Sequence, residues 1–262
     1  MEYIDAKQDF YKEDFLYHFT SFEALKIILN SGKFRLSRIS NLNDTMESKY
    51  INPFFDGKVF TFSLTKTIKE YFWNNYTQGL GKEGGIIIQI KNIRGWYESI
   101  VTKDGNAFQK VLKSNINYKS YNQENDWGIY DISCLKIIYK DHPENDFDFD
   151  NETYEIYKDC ELFDNSEHYN RLININNQGY VKETIWSEED EYRIRIIMRP
   201  KGVEEILGID RNVIPKFPSN YIYLDISNKF HLINILISKD FLYKDELNYI
   251  CRKYGITYFE ID

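Results

Sequence analysis

Trp186-Ser187-Glu188-Glu189-Asp190-Glu191-Tyr192-Arg193 runs without a break into Ile194-Arg195-Ile196-Ile197-Met198. The first half packs four carboxylates beside an indole. The second half is β-branched and apolar at alternate positions, the pattern of a buried strand. An acidic run is usually a solvated loop, but this one stands at the mouth of a strand. Read as extended chain over 189–191, it sends Glu189 and Glu191 to one face and leaves Glu188 and Asp190 to solvent. Adjacent carboxylates repel, and one of the pair tends to hold its proton. Such a pair can bind a sugar hydroxyl, activate a nucleophile or face a developing positive charge. A solvated turn with Glu191 paired to Arg193 is the plainer alternative.

Outward from this stretch, strands outnumber helices. Residues 16–18, 34–37, 59–63, 85–90, 132–139, 191–199, 221–225, 232–237 and 256–261 read as strands. Thr20-Ser21-Phe22-Glu23 is a capping box with Thr20 as N-cap, opening a helix with Phe22, Leu25, Ile28 and Leu29 on one face and Gly32 as its stop. Thr67-Ile68-Lys69-Glu70 is a second box, leading into a helix through Tyr76, and Glu246–Tyr254 is an amphipathic helix stopped by Gly255. Residues 106–114 are weakly helical. Most strands follow one another without an intervening helix. The expectation is therefore an α+β fold, a single domain over 1–262 with a mixed, largely antiparallel, split β-sheet flanked by helices.

Composition narrows the function classes. The 262 residues carry a net charge of −8, and the segment 141–165 alone holds ten acids against one lysine. The remainder is close to neutral, which argues against a general nucleic-acid binder while leaving a local basic groove open. No stretch approaches the roughly 20 apolar residues of a membrane span, and the acidic start Met1-Glu2-Tyr3-Ile4-Asp5 is not a secretory signal. Cys134, Cys160 and Cys251 are odd in number and far apart, which suggests a reducing compartment, the cytoplasm by default. No metal is expected, because His18, His142, His168 and His231 have no ligand-spaced company. Gly79-Leu80-Gly81-Lys82-Glu83-Gly84 spells G-x-G-x-x-G, but it follows a helix and precedes a strand, so it reads as a turn.

Two polar elements join the acidic run as candidates. His18 lies in an apolar strand, where a lone histidine is first of all a core residue. Ser63 and Thr65 end a strand and share a face.

Together these segments resemble a widespread bacterial family catalogued as a domain of unknown function, with the pattern L-Y-H-Y-T-S, L-R-L-S, F-N-D-P-x-E, F-S, W-x-x-Y, K-V-x-Y and W-x-x-E-x-E-[WY]-R. Leu16–Ser21, Phe34–Ser37, Asn43-Asp44-Thr45-Met46-Glu47, Phe62-Ser63, Trp73–Tyr76, Lys136–Tyr139 and Trp186–Arg193 carry the likeness. Leu42 replaces the usual Phe, and Thr45 the usual Pro. The order of histidine, strand-end hydroxyls and aromatics, then a late E-x-E is also similar to the three-part signature of the ADP-ribosyltransferase superfamily. That resemblance implies NAD as co-substrate. His18, with Thr20 beside it, would hold the adenosine ribose, and Ser63 and Thr65 would support the nicotinamide pocket. Tyr76 or Trp73 would stack on the nicotinamide. Glu191 would be the catalytic glutamate and Glu189 its acceptor-orienting partner, with Asn43, Asp44, Glu47, Trp186 and Arg193 in support. The implied protein is an intracellular toxin or phage-defence effector, acting on a protein or nucleic-acid acceptor, with a regulatory protein as a further expected partner. A nucleotide-sensing or protein-interaction module on the same fold, an NAD glycohydrolase and a nucleic-acid-modifying transferase remain open.

Overall fold

The computed structural model describes residues 15–42, 57–77, 79–91, 100–101, 103–106, 126–141, 179–200 and 216–261. Expectations on the weak helix 107–114, the acidic excursion 142–165 and Asn43, Asp44 and Glu47 lie outside the described residues.

The alternation after the acidic run does form a strand, β9 (Glu191–Pro200). Tyr192, Ile194, Ile196 and Met198 all point into the main core. Strand β3 (Val59–Thr65) pairs with β9 antiparallel along its whole length, placing Thr65 opposite Glu191, Ser63 opposite Arg193 and Thr61 opposite Arg195. On the other side of β9 lies β6 (Trp127–Lys136). The strand expected over 132–139 thus begins earlier, at Trp127, and breaks at Ile137. That residue buries its side chain and gives its N–H to the Glu191 carbonyl at 2.8 Å. The chain resumes as β7 (Ile138–Lys140), which pairs in parallel with β8 (Val181–Glu183) as a small separate ribbon.

The far edge of β3 is where the main sheet divides. One arm begins with β1 (Leu16–Ser21), continues through β4 (Gly85–Ile90) and β11 (Ile233–Ser238), and ends at β12 (Thr257–Ile261). The other arm holds β2 (Lys33–Arg38), β10 (Tyr221–Asp225) and β5 (Ile100–Val101). β1 meets β3 in register only at Tyr17 and Thr65, and β2 meets it only at Ser37–Thr61 and Arg38–Phe60. Residues 62–64 lie between these two attachments. Among the described residues, every pairing in the ten-stranded sheet is antiparallel except β11 with β12. The chain is a single mixed α+β domain with a large mixed sheet and few helices, as the strand-rich pattern implied.

Helix α1 (Phe22–Ser31) presents Phe22, Leu25 and Leu29 to the core and stops at left-handed Gly32. Its N-cap is Ser21, whose hydroxyl accepts from the Ala24 N–H at 3.2 Å. Thr20, expected in that role, is still part of β1 and buried. Both residues can cap, and the choice falls to the one at which the extended backbone ends. Helix α2 (Glu70–Tyr76) begins at the last residue of the capping box assigned to Thr67, with Lys69 at its N-cap. Thr67 is held in a turn instead, its N–H donating to Thr65 Oγ1 at 3.2 Å. The G-x-G-x-x-G segment ends in a single helical turn, α3 (Gly81–Gly84), before β4. Gly85, which follows, has no room for a Cβ, since one would meet the Gly81 carbonyl oxygen and Thr77 Cγ2 at 2.4 Å. Helix α4 (Lys244–Tyr254) adds Leu247, Ile250 and Cys251 to the core and ends at left-handed Gly255. No helix among the described residues is long and apolar enough to cross a membrane.

Candidate functional site

Glu189 and Glu191 do converge, but not as neighbours along an extended strand. Glu189 ends a 3₁₀ turn, Thr184–Glu189, and Glu191 begins β9. Between them Asp190 takes the left-handed conformation at φ 42°, the only non-glycine residue to do so among the described residues. Aspartate is one of the few side chains that tolerate this region, because its short carboxylate can bond locally. The resulting corner turns the chain and brings both glutamates to one ammonium. Lys182 Nζ lies 2.7 Å from Glu189 Oε2 and 3.2 Å from Glu191 Oε2. Glu188 remains exposed, as expected, while Asp190 is half-buried and bridged to Lys136 at 2.6 Å.

The two carboxylates are held differently. On Glu191, Oε1 receives Arg193 Nε and Nη2, each at 2.8 Å, and the carboxylate also accepts from the Ser63 hydroxyl. Burial pushes the Glu191 carboxyl up, yet the charges of Arg193 and Lys182 and these hydrogen bonds outweigh it and hold the group below its ordinary value. On Glu189, Oε1 accepts from the Tyr76 hydroxyl. Burial dominates there, and Lys182 and Tyr76 only partly offset it, so its carboxyl is raised. The same environment raises the Tyr76 hydroxyl, keeping it a protonated donor. Two groups two residues apart are thereby pushed in opposite directions, Glu189 toward its protonated form and Glu191 toward its anion. The expected Glu191–Arg193 pair exists, but it is buried rather than solvated: the side chains are 5 % and 1 % exposed.

The division of the sheet places His18. Because β1 leaves β3 beyond Tyr17, the Ser63 carbonyl lacks a strand partner on that edge, and His18 Nδ1 reaches it at 3.1 Å. A carbonyl oxygen only accepts, so Nδ1 carries the proton and Nε2 presents a lone pair. The ring packs against Phe62 with centroids 4.4 Å apart. Burial pushes the imidazole down to about 4, only partly opposed by the bond to Ser63, so the ring is neutral at physiological pH.

These groups line one cavity of about 340 Å³. Its polar wall includes His18, Ser63, Thr65, Lys182, Glu189, Glu191 and Arg193, and its apolar wall includes Tyr17, Tyr71, Phe72, Tyr76 and Trp186. That volume lies at the small end of ligand pockets, and the wall carries more charged groups than such pockets usually do. Thr65 also fixes the acidic corner, donating to the Glu189 carbonyl at 3.2 Å.

Two expected residues are placed elsewhere. Trp73 is 2 % exposed and packs with Phe19, Phe72, Ile87 and Leu236 in a satellite core, so no ring stacks on it from the cavity. Thr20 is buried in β1 and does not line the cavity. Conversely, Lys182 was not anticipated, nor was Tyr139, whose hydroxyl accepts from the Glu191 N–H at 2.9 Å. A signal for Lys182 existed: an acidic run that enters a core needs counter-charge, and Lys182 is the nearest basic residue upstream of it. Among the described residues no group of three or more His, Cys, Asp or Glu side chains is placed to hold a metal ion.

In comparisons with family models, with curated proteins and with solved structures, nothing matches the chain.

Proposed function

We propose that the chain is an NAD-consuming enzyme of the ADP-ribosyltransferase type. One observation carries the reading. His18, Ser63 with Thr65, Tyr76, and Glu189 with Glu191 come from separate stretches of the chain and line one cavity. The division of the sheet at β3 is what we read as ADP-ribosyltransferase-like in the fold.

In this reading the cavity takes the nicotinamide–ribose end of NAD. The aromatic wall receives the ring, Tyr76 taking the role first shared with Trp73. The His18 Nε2 lone pair accepts from a ribose hydroxyl, and Ser63 and Thr65 offer hydroxyls beside it. Breaking the bond between the ring nitrogen and C1′ sends the bonding electrons to nicotinamide and leaves positive charge on the sugar. Glu191, kept ionised, faces that charge and stabilises it electrostatically. The acceptor's lone pair forms the new bond to C1′, and its proton passes to Glu189, the carboxyl whose proton affinity burial has raised. The acceptor is a protein or a nucleic acid, or water if the enzyme is a glycohydrolase. The intracellular toxin or phage-defence role follows from the family resemblance.

Incubation with labelled NAD and a cell lysate tests this directly. Wild type should transfer label or release nicotinamide, and Glu191→Gln should lower either signal by at least about 100-fold. Full activity in that variant removes Glu191 from the mechanism, and silence in the wild type sinks the enzyme reading.

A second reading is favoured by the charge balance around Glu191, whose carboxylate already meets both Lys182 and Arg193. A carboxylate so neutralised also suits a nucleotide-sensing module. Calorimetry separates the two. Saturable NAD binding without turnover, weakened by His18→Ala and spared by Glu191→Gln, identifies the sensor.

A further inference from the structure

The position on the cavity wall at which both glutamates aim is already taken. Lys182 Nζ sits between Glu189 Oε2 and Glu191 Oε2 and 5.4 Å from the centroid of the Trp186 ring. Two carboxylates and an indole around one point form a receptor for an organic cation, combining charge with the attraction of the ring face. The two resident cations are mounted differently. Arg193 belongs to the central strand β9, with Nε and Nη2 on Glu191 Oε1 and Nη1 on the Gly179 carbonyl at 3.0 Å. Lys182 enters from β8, outside the main sheet, on a flexible four-carbon stem. Of the two, it is the cation whose withdrawal would leave the central strand in place.

Charge conservation favours exchange over addition. Glu189, Glu191, Lys182 and Arg193 sum formally to zero, and all four side chains are at least nine-tenths buried. A further cation entering beside Lys182 would leave uncompensated positive charge among them, which is costly in a desolvated site. Replacing one monovalent cation by another keeps the balance.

We propose that the Glu189–Glu191–Trp186 corner is a binding subsite for a pyridinium-type cation, and that Lys182 is its internal occupant, which the ligand displaces. The inference rests on the NAD reading, since oxidised nicotinamide linked to ribose is such a cation, and it adds that the resting site is self-filled. The ligand's apparent affinity is then reduced by the fraction of molecules in which the lysine is withdrawn.

The probe is the 1-methylnicotinamide cation, with uncharged nicotinamide as its control, titrated calorimetrically into the full chain. Lys182→Met keeps the stem and removes the charge. If the withdrawn state is populated at about one part in ten, that variant gains about tenfold in affinity for the cation, with nicotinamide unchanged. Lys182→Arg should show no gain. Equal or weaker cation binding by a folded Lys182→Met protein overturns the proposal, as does an equal gain for the neutral control. If Lys182→Met does not fold, amine acylation of the wild type decides. Saturating cation should speed modification of Lys182, and protection of that amine overturns the displacement. NAD turnover without a Lys182 effect leaves the enzyme standing and removes this inference. A Lys182 effect without turnover does the reverse.

Discussion

The two faces of β9 are equally dry and are held by opposite physics. On one side Ile194 and Ile196 are 1 % and 0 % exposed, and on the other Arg193 and Arg195 are 1 % and 2 % exposed. The first face is stabilised by removing apolar surface from water. The second also buries Ile197, but its arginines are tolerated only while each keeps a partner for its charge, since burying an ion costs several kcal/mol. Arg195 follows the same logic by another route, its guanidinium lying 4.5 Å from the Tyr180 ring centroid. A buried charge network is a poor way to gain stability. Its presence beside an apolar face of the same strand is a local departure from core packing of the kind that functional sites carry.

The largest test of this contrast is paired. Ile196→Ala should cost about 2–5 kcal/mol by leaving a cavity, and Arg193→Met about 3–5 kcal/mol by taking the larger of its two counter-charges from the buried Glu191 carboxylate. Denaturant melts would show similar losses. A second substitution should then separate the faces. Adding Glu191→Leu to Arg193→Met should recover most of the loss, because an ion pair replaced whole by apolar groups is close to neutral. No second truncation near Ile196 should do so. Failure of the pair to recover would mean that Glu191 is not the group Arg193 neutralises.

A smaller effect is expected from pH. His18 titrates near 4 when folded and near 6.5 when unfolded. Between these values the unfolded chain binds the proton that the folded chain refuses. Stability is therefore intact above about 6.5 and is lost as pH falls toward 4, by about 2 kcal/mol after allowing for the partial exposure of the ring. Glu191, lowered in the folded state, adds a loss further down, below its ordinary 4.5, while Glu189, raised, acts in the opposite sense. His18→Phe should flatten the limb between 6.5 and 4. An unchanged limb would show that the imidazole is not held neutral by the fold.

What was legible in the sequence follows the range of the interactions. Strand 221–225 and the stops at Gly32 and Gly255 depend on period-two alternation and on glycine's left-handed freedom, both local, and they stand where they were read. The convergence of Glu189 and Glu191 was legible, but its cause was not. Alternation suggested an extended segment, whereas the structure uses a left-handed corner at Asp190, which a bare E-x-E cannot reveal. Lys182 and Tyr139 were missed because their partners come from another strand pairing, and Trp73 was misplaced because an aromatic on a short helix has a core side and a cavity side. The smallest of the predicted effects tests the most local of these readings. Ser21→Ala should cost about 1 kcal/mol in a melt, whereas Thr20→Ala leaves the cap intact. A loss in Thr20→Ala with none in Ser21→Ala would return the cap to Thr20.

The ribbon of β7 and β8 has one more consequence. Its strands are three residues each, and with the 3₁₀ turn that follows it supplies Lys182, Trp186 and Glu189. Ser63, Thr65, Glu191 and Arg193 belong to the central pair β3 and β9. The candidate site is thus assembled from two units of unequal pairing length, and short, peripheral pairings are the first to open in native-state fluctuations. Competence should therefore be lost by sub-global opening of the ribbon well before the ten-stranded sheet unfolds, so the molecule can be folded by every measure of its core and still be switched off.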